Sequence, residues 1–86
     1  MSKDEITKRV ITAMIHIGIT LDEEDEKNEE NIDIRKYIQN SFHFVSFIME
    51  LENEFDIVMP DQYLLIDNFA SLGSVVISIS ELLEAK

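Results

Sequence analysis

The chain has 86 residues, of which 45% are hydrophobic, and 18 acidic against 7 basic side chains give it a formal net charge of −11. A chain of this length forms one domain, residues 1–86, with little room for a deep active site, so a presenting or binding module is favoured over an enzyme. The acidic surface repels phosphate backbones and anionic lipids, which argues against nucleic acid or membrane partners and favours proteins with basic patches. The chain contains no cysteine, no stretch of about 20 apolar residues and no signal-like start, so we expect a cytoplasmic protein without disulfides or thiolate chemistry.

The first predicted element is an amphipathic helix from about Lys3 to about Ile17. Ser2 stands three residues before Glu5, which is the arrangement of a capping box. Apolar residues then recur at helical spacing, and Gly18 is a natural stop. These apolar residues are Ile6, Val10, Met14 and Ile17.

Residues 20–31 contain the densest acidic run and no apolar periodicity, which predicts a long solvated loop. A calcium-binding loop is the alternative, but the segment lacks the central glycine and the alternating ligands of an EF-hand, so we expect no metal site. Four apolar residues then return the chain to the core, as a loop or a brief helical turn. They are Ile32, Ile34, Tyr37 and Ile38.

A second helix is predicted to begin at Asn40 and Ser41, two residue types favoured at helix N-caps, and to run without Gly or Pro to Phe55. Its broad apolar face is suited to the core: Phe44, Phe47, Ile48, Leu51 and Phe55. A second apolar stripe lies beside this face, with acidic positions beyond it. The stripe consists of Phe42, Val45 and Met49, and the acidic positions are Glu50 and Glu54. Either the stripe also belongs to the core or it covers a partner.

After Asp56, which ends the second helix, an extended link leads through Pro60 to a short predicted helix at residues 62–66. Ser71 then caps a last helix with apolar residues three and four apart. These are Leu72, Val75, Val76, Ile79, Leu82 and Leu83. Their Val and Ile content also suits a strand, but one strand would have no partner. The predicted fold is therefore all-α: a small right-handed bundle of three main helices and one short helix, with a long loop between helices one and two.

The second helix and its exit resemble those of acyl carrier proteins and peptidyl carrier domains. The family has an Asp-Ser-Leu-type motif that opens the second helix, then an apolar and acidic helix, then an Ile-x-Ile-Pro-Asp-like exit. The matching residues here are Asn40-Ser41-Phe42, the helix to Phe55, and Ile57-Val58-Met59-Pro60-Asp61. Phe69-Ala70-Ser71-Leu72 is similar to the family's entry to the last helix. The likeness extends over nearly the whole chain, although the first helix and loop match by layout more than by residue.

The resemblance implies that a phosphopantetheinyl transferase attaches 4′-phosphopantetheine from coenzyme A to the Ser41 hydroxyl. It also implies that the arm holds acyl or aminoacyl groups as thioesters for a loading ligase and for synthase or transferase enzymes. The pathway would be of the fatty-acid, polyketide or nonribosomal-peptide type. Ser41 needs no activation by this chain, which agrees with the lack of a Ser/His/Asp arrangement. A serine at a helix start is also accessible, and the positive helix end suits a phosphodiester.

One residue departs from the family pattern, since Asn40 stands where aspartate is usual. Asparagine keeps the size and the hydrogen bonding but loses the charge, which leaves a dedicated transferase or an unmodified carrier as alternatives. Phe42 takes the place of the family's Leu or Ile. The stripe of Phe42, Val45 and Met49 becomes the predicted docking surface, with Glu50 and Glu54 steering basic partners.

Two functions remain in competition at this point. The first is a monomeric carrier without enzyme activity of its own, and the second is an unmodified acidic helical protein–protein interaction module of the same fold. His43, two positions after the serine, is expected to be a surface residue rather than a catalytic one, and His16 a favourable helix C-terminal residue. The bulky side chains of Phe44, Phe47, Phe55 and Phe69 indicate a filled interior with little room for a long acyl chain.

Overall fold

A computed structural model describes residues 1–60 and 71–85, and within these ranges every regular element is a helix. The helices are α1 (Lys3–His16), α2 (Glu23–Lys27), α3 (Ile34–Tyr37), α4 (Ser41–Phe55) and α5 (Leu72–Ala85), with a 3₁₀ turn at Glu29–Asn31. The predicted all-α class is confirmed. The short helix predicted at residues 62–66 lies outside the described residues.

Both ends of α1 follow the sequence signals. The Ser2 hydroxyl accepts a hydrogen bond from the Glu5 N–H at 3.2 Å, which satisfies a free donor of the first turn. At the other end Gly18 has φ +91°, a left-handed conformation that glycine adopts without steric cost. The Gly18 N–H donates to the Ile15 carbonyl and the Ile19 N–H to the Met14 carbonyl. This pair of bonds is a Schellman motif, which turns the chain back toward the core.

Helix α1 contacts both of the other long helices, α4 and α5. Its inward face is completely apolar, and Ile6, Val10, Ala13 and Met14 are at most 1% exposed. Among the described residues no polar or charged side chain is buried, and no buried side-chain nitrogen or oxygen lacks a partner. The core therefore depends on the burial of aliphatic and phenylalanine side chains.

The acidic segment after α1 is solvated as predicted, but it is not an irregular loop throughout. Residues Glu23–Lys27 form a short helix without any buried side chain, and the 3₁₀ turn follows it. Four carboxylates lie in the first turn of α2, where the positive end of the helix dipole favours them. The acidic side chains at its start therefore stabilise α2, a helix that cannot be recognised from apolar spacing because it has no buried face.

The entry to α5 is fixed by hydrogen bonds and by close backbone packing. The Ser71 hydroxyl accepts from the Ser74 N–H at 3.2 Å, which confirms the predicted cap. The Leu72 N–H donates to the Ile32 carbonyl at 2.9 Å. A β-carbon on Gly73 would lie 3.1 Å from the Glu30 carbonyl oxygen, so the helix approaches the 3₁₀ turn too closely for an ordinary side chain to fit without adjustment. Val75, Val76 and Ile79 are thus buried on a helix, and the strand interpretation of this segment is wrong.

In the part of the chain that is described, none of the helices has both the length and the apolar character needed to cross a bilayer.

The conformation of Gly18 leads to a stability prediction. We expect Gly18→Ala to lower the free energy of unfolding by about 1 kcal/mol, because alanine is strained in the left-handed region. A β-carbon at this position would meet no atom within 4 Å, so the loss comes from the backbone alone. Urea denaturation measures it, with Gly18→Asn as the matched control, since asparagine tolerates this conformation better. Equal losses in the two variants would contradict the explanation.

Candidate functional site

The candidate site is the N-terminal end of α4, where Asn40 is the cap and Ser41 is the first helical residue. Asn40 has an extended backbone (φ −130°, ψ 159°), and its Oδ1 accepts a hydrogen bond from the His43 N–H at 2.7 Å. Sequence alone left two candidates for the cap, Asn40 and Ser41. The structure gives the capping bond to Asn40, so the side chain of Ser41 is not needed for it.

Ser41 is exposed, and its hydroxyl takes part in no hydrogen bond with the described residues. The backbone N–H groups of Ser41 and Phe42 also find no acceptor within residues 1–60 and 71–85. Free N–H groups and the positive end of a 15-residue helix favour an anionic group at this position. An accessible nucleophilic oxygen therefore lies beside backbone donors that suit the phosphate of a phosphodiester.

The apolar stripe beside Ser41 is on the surface. Phe42 is 84% exposed, Val45 54% and Met49 63%, so the interpretation that places them in the core is wrong. A surface hollow of about 230 Å³ adjoins the stripe. It is lined by Phe44, Val45, Ile48, Met49, Glu52 and Met59. Exposed aromatic and methionine side chains next to a hollow are typical of binding surfaces, but a role in docking stays a prediction.

The two acidic residues predicted to steer partners differ in their surroundings. The Glu50 Oε1 lies 3.0 Å from Nδ1 of His16, the last residue of α1, and the Glu50 side chain is 28% exposed. Glu54 is partly exposed and has no ion-pair partner among the described residues. Glu50 therefore also links α1 to α4, although a half-exposed pair of this kind adds little stability.

His43 is partly buried at the start of α4, and its Nε2 lies 3.4 Å from the Ile17 carbonyl oxygen. That separation is long for a hydrogen bond, so the contact is weak. His43 and His16 thus both face across the α1–α4 contact. Their spacing in the sequence, residues 16 and 43, gave no sign of this.

The segment that leads into α4 is anchored by a polar cluster that sequence reasoning missed. The Tyr37 hydroxyl donates to Asp25 Oδ2 and accepts from the Asp22 N–H at 3.0 Å. The Lys36 ammonium lies 2.6 Å from Asp22 Oδ2 and 3.1 Å from Asp25 Oδ2. The cluster joins α2 to α3 across the acidic segment. Lys36 and Tyr37 follow the two aspartates by 11 to 15 residues, a separation that no local pattern marks, so the sequence offered no signal.

The cluster shifts the protonation equilibria of its members. The hydrogen bond from Tyr37, and then that from Lys36, lowers the pKa of Asp25 below its usual range. The carboxylates of Asp22 and then Asp25 raise the pKa of Lys36. Partial burial, more than the nearby carboxylates, raises the pKa of Tyr37. All three shifts favour the charge states that the hydrogen bonds require at neutral pH.

A second unpredicted contact fixes the exit from α4. Asp56 ends the helix as predicted, in the left-handed conformation at φ 53°. Glu52 Oε2 then accepts a hydrogen bond from the Met59 N–H at 2.9 Å, which holds the extended link against the helix. In the sequence Glu52 is one of several acidic residues on α4, and nothing distinguishes it.

The capping bond of Asn40 can be tested separately from any activity. We expect Asn40→Ala to lower the free energy of unfolding by about 1 kcal/mol, because the His43 N–H loses its acceptor. Asn40→Asp should keep the bond and add a favourable charge at the helix start, so its stability should equal or exceed that of the parent. Urea denaturation of both variants, with Gln39→Ala as the neighbouring control, measures the difference. Equal destabilisation by alanine and aspartate would contradict the assignment of the cap.

The Tyr37–Asp25 hydrogen bond predicts a change in acid stability. Because the pKa of Asp25 is lower in the folded protein than its ordinary value of 3.8, the ionised carboxylate favours folding above that pH, and the contribution is lost as the pH falls through the folded-state pKa. Tyr37→Phe should raise the pKa of Asp25 toward its ordinary value and reduce this pH dependence. An NMR titration of the Asp25 carboxyl carbon measures the first effect, and acid denaturation measures the second.

In an Asp25→Asn background, Tyr37→Phe should leave the acid dependence unchanged, because the titrating partner is absent. An Asp25 titration that is the same in the parent and in Tyr37→Phe would show that the bond does not control this carboxyl.

Comparison with known proteins identifies no relative of this chain. No protein-family model matches the chain, and no curated protein or solved structure matches it significantly. The functional interpretation of Ser41 therefore depends on the residues around it and on their geometry.

Proposed function

We propose that this chain is a monomeric carrier protein of the cytoplasm, modified at Ser41 by 4′-phosphopantetheine. The observation that supports this most directly is the exposed hydroxyl of Ser41, which is free of the capping bond made by Asn40. The resemblance of the segment from Asn40 to Asp61 to carrier proteins gives the chemistry. The exposed stripe on the same helix gives a surface on which enzymes could dock.

The residues at the start of α4 fit such a modification. In the transfer, the Ser41 oxygen attacks the phosphorus next to the pantetheine part of coenzyme A and forms a phosphodiester. The phosphoanhydride bond breaks, the nucleotide part of coenzyme A leaves, and a base of the transferase takes the hydroxyl proton. The N–H groups of Ser41 and Phe42, which have no acceptor in the described part of the chain, favour the negative charge of the product.

The bound group would supply a terminal thiol that holds acyl or aminoacyl cargo as a thioester. The chain itself contributes position rather than catalysis: Asn40 fixes the first turn of α4 and so fixes where Ser41 stands. Phe42, Val45 and Met49 follow along the same helix, where a partner enzyme could bind while it acts on the arm. The acidic surface would attract partners with basic docking patches.

Intact-mass spectrometry tests the proposal. After incubation with coenzyme A and a broad-specificity phosphopantetheinyl transferase, we expect the parent chain to gain the mass of one phosphopantetheinyl group. Ser41→Ala should gain none. Ser46→Ala is the matched control, because Ser46 lies on the same helix and its hydroxyl donates to the Phe42 carbonyl at 3.1 Å. This control should be modified like the parent.

Asn40→Asp belongs in the same experiment, since it restores the charge that carrier proteins usually have before the serine. Modification of Asn40→Asp alone would indicate that residue 40 limits recognition by that transferase. If neither the parent nor Asn40→Asp gains mass with several transferases, the carrier proposal fails. The unmodified acidic interaction module would then be the better description.

A further inference from the structure

A second apolar surface lies on α1 and the segment that follows it, separate from the stripe on α4. It is a groove of about 490 Å³, which we call the α1 groove. Its lining is Ile11, Ile15, Ile19, Thr20, Leu21, Glu26 and Glu29. Neither the carrier resemblance nor the proposed modification of Ser41 uses any of these residues.

The wall of the α1 groove is aliphatic. Ile11 and Ile15 are one helical turn apart and share a face of α1, and Ile15 is 58% exposed. Ile19 and Leu21 continue the wall after the turn at Gly18. An isoleucine more than half exposed on a helix is unremarkable alone. Here Ile15 lies beside the partly buried Ile11 and Leu21 and the core residue Ile19, which is 6% exposed, so its side chain extends the core to the surface at the groove.

The rim of the α1 groove is negatively charged. Glu26 and Glu29 line it, and neither has an ion-pair partner among the described residues. By contrast, the neighbouring Asp22 and Asp25 are both paired with Lys36. The carboxylates of Glu26 and Glu29 therefore remain available for a partner, as do those of Glu23, Glu24 and Glu30, which have no ion pair with the described residues.

The side of the groove that α2 contributes is anchored by hydrogen bonds to α3. The hydrogen bonds of Tyr37 to Asp25 and Asp22 fix α2, which contributes Glu26, relative to α3. A groove side that is already anchored avoids part of the entropy cost of ordering a loop during binding.

We propose that the α1 groove binds a basic amphipathic helix of a partner protein. An apolar side chain of that helix would pack against Ile15, and lysine or arginine side chains beside it would face Glu26 and Glu29. A second copy of this chain carries the same net charge of −11, so it would be repelled by the acidic rim. A bilayer with anionic lipids would be repelled by the same carboxylates. A basic amphipathic helix can pack apolar side chains on the wall and also pair its basic side chains with the carboxylates of the rim.

The proposal does not depend on modification at Ser41, so its test uses the Ser41→Ala protein. The probe is a synthetic helical peptide in which leucine recurs every three and four residues and lysine fills most other positions. Titration of the isotope-labelled protein with this peptide is followed by NMR. We expect the largest amide shifts to lie at residues that line the α1 groove.

Variants of the groove give the quantitative result. Ile15→Ser, and Glu26→Gln combined with Glu29→Gln, should each weaken peptide binding by about fivefold or more. Ile77→Ser, the same change at a comparably exposed isoleucine on α5, should alter it by less than about twofold. Circular dichroism of each variant checks that the helices are retained.

A peptide with glutamate in place of lysine should not bind. The proposal is overturned if the lysine peptide does not bind, if its shifts gather on the α4 stripe or spread over the whole surface, or if the groove variants bind it like the parent. Equal binding of the glutamate peptide would also overturn it, because the acidic rim would then have no role. None of these results would bear on the modification of Ser41.

Discussion

The structure depends on the burial of one face of α1 against both α4 and α5. Four residues of that face are almost inaccessible to water: Ile6, Val10, Ala13 and Met14. Because α1 contacts both long helices, its packing fixes where α4 lies, and with it the position of Ser41. Burial of apolar surface supplies the energy, but it has no direction of its own. The orientation comes from the helix ends. There the side chains of Ser2, Asn40 and Ser71 accept hydrogen bonds from backbone N–H groups of the first turn and so determine where each long helix begins.

Much of this arrangement was predictable because it is local. Helix starts are marked by short polar side chains, helix interiors by apolar spacing, and the end of α1 by a glycine that takes a left-handed conformation. The contacts that were missed join residues 7 to 34 positions apart, beyond the three- and four-residue spacing of a helix. Tyr37 to Asp25, His16 to Glu50 and Glu52 to Met59 each require a three-dimensional arrangement that periodicity does not contain. The helix α2 was missed for another reason, since it has no buried face and apolar spacing cannot reveal it.

At the candidate site, too, the local features could be inferred from the sequence, and those that depend on contacts in the folded structure could not. The motif around Ser41 singled it out as the candidate residue, and the surplus apolar stripe on α4 was visible from helical projection. Whether the stripe was buried could not be decided, because the apolar arc of α4 is wide and its partners are distant in sequence. Exposure of 84% at Phe42 decides that question. The division of roles between Asn40 and Ser41 also needed coordinates, since both residue types are good caps.

The wholly apolar character of the described core has an evolutionary consequence. Such a core has no buried hydrogen bond that demands a particular side chain, and interiors of this kind tolerate exchange among aliphatic residues when volume and pattern are kept. Drift can therefore replace most inward-facing residues while the helices stay in place. Purifying selection would act instead on the few polar residues at helix starts. In a lineage of this kind the architecture outlasts recognisable sequence identity.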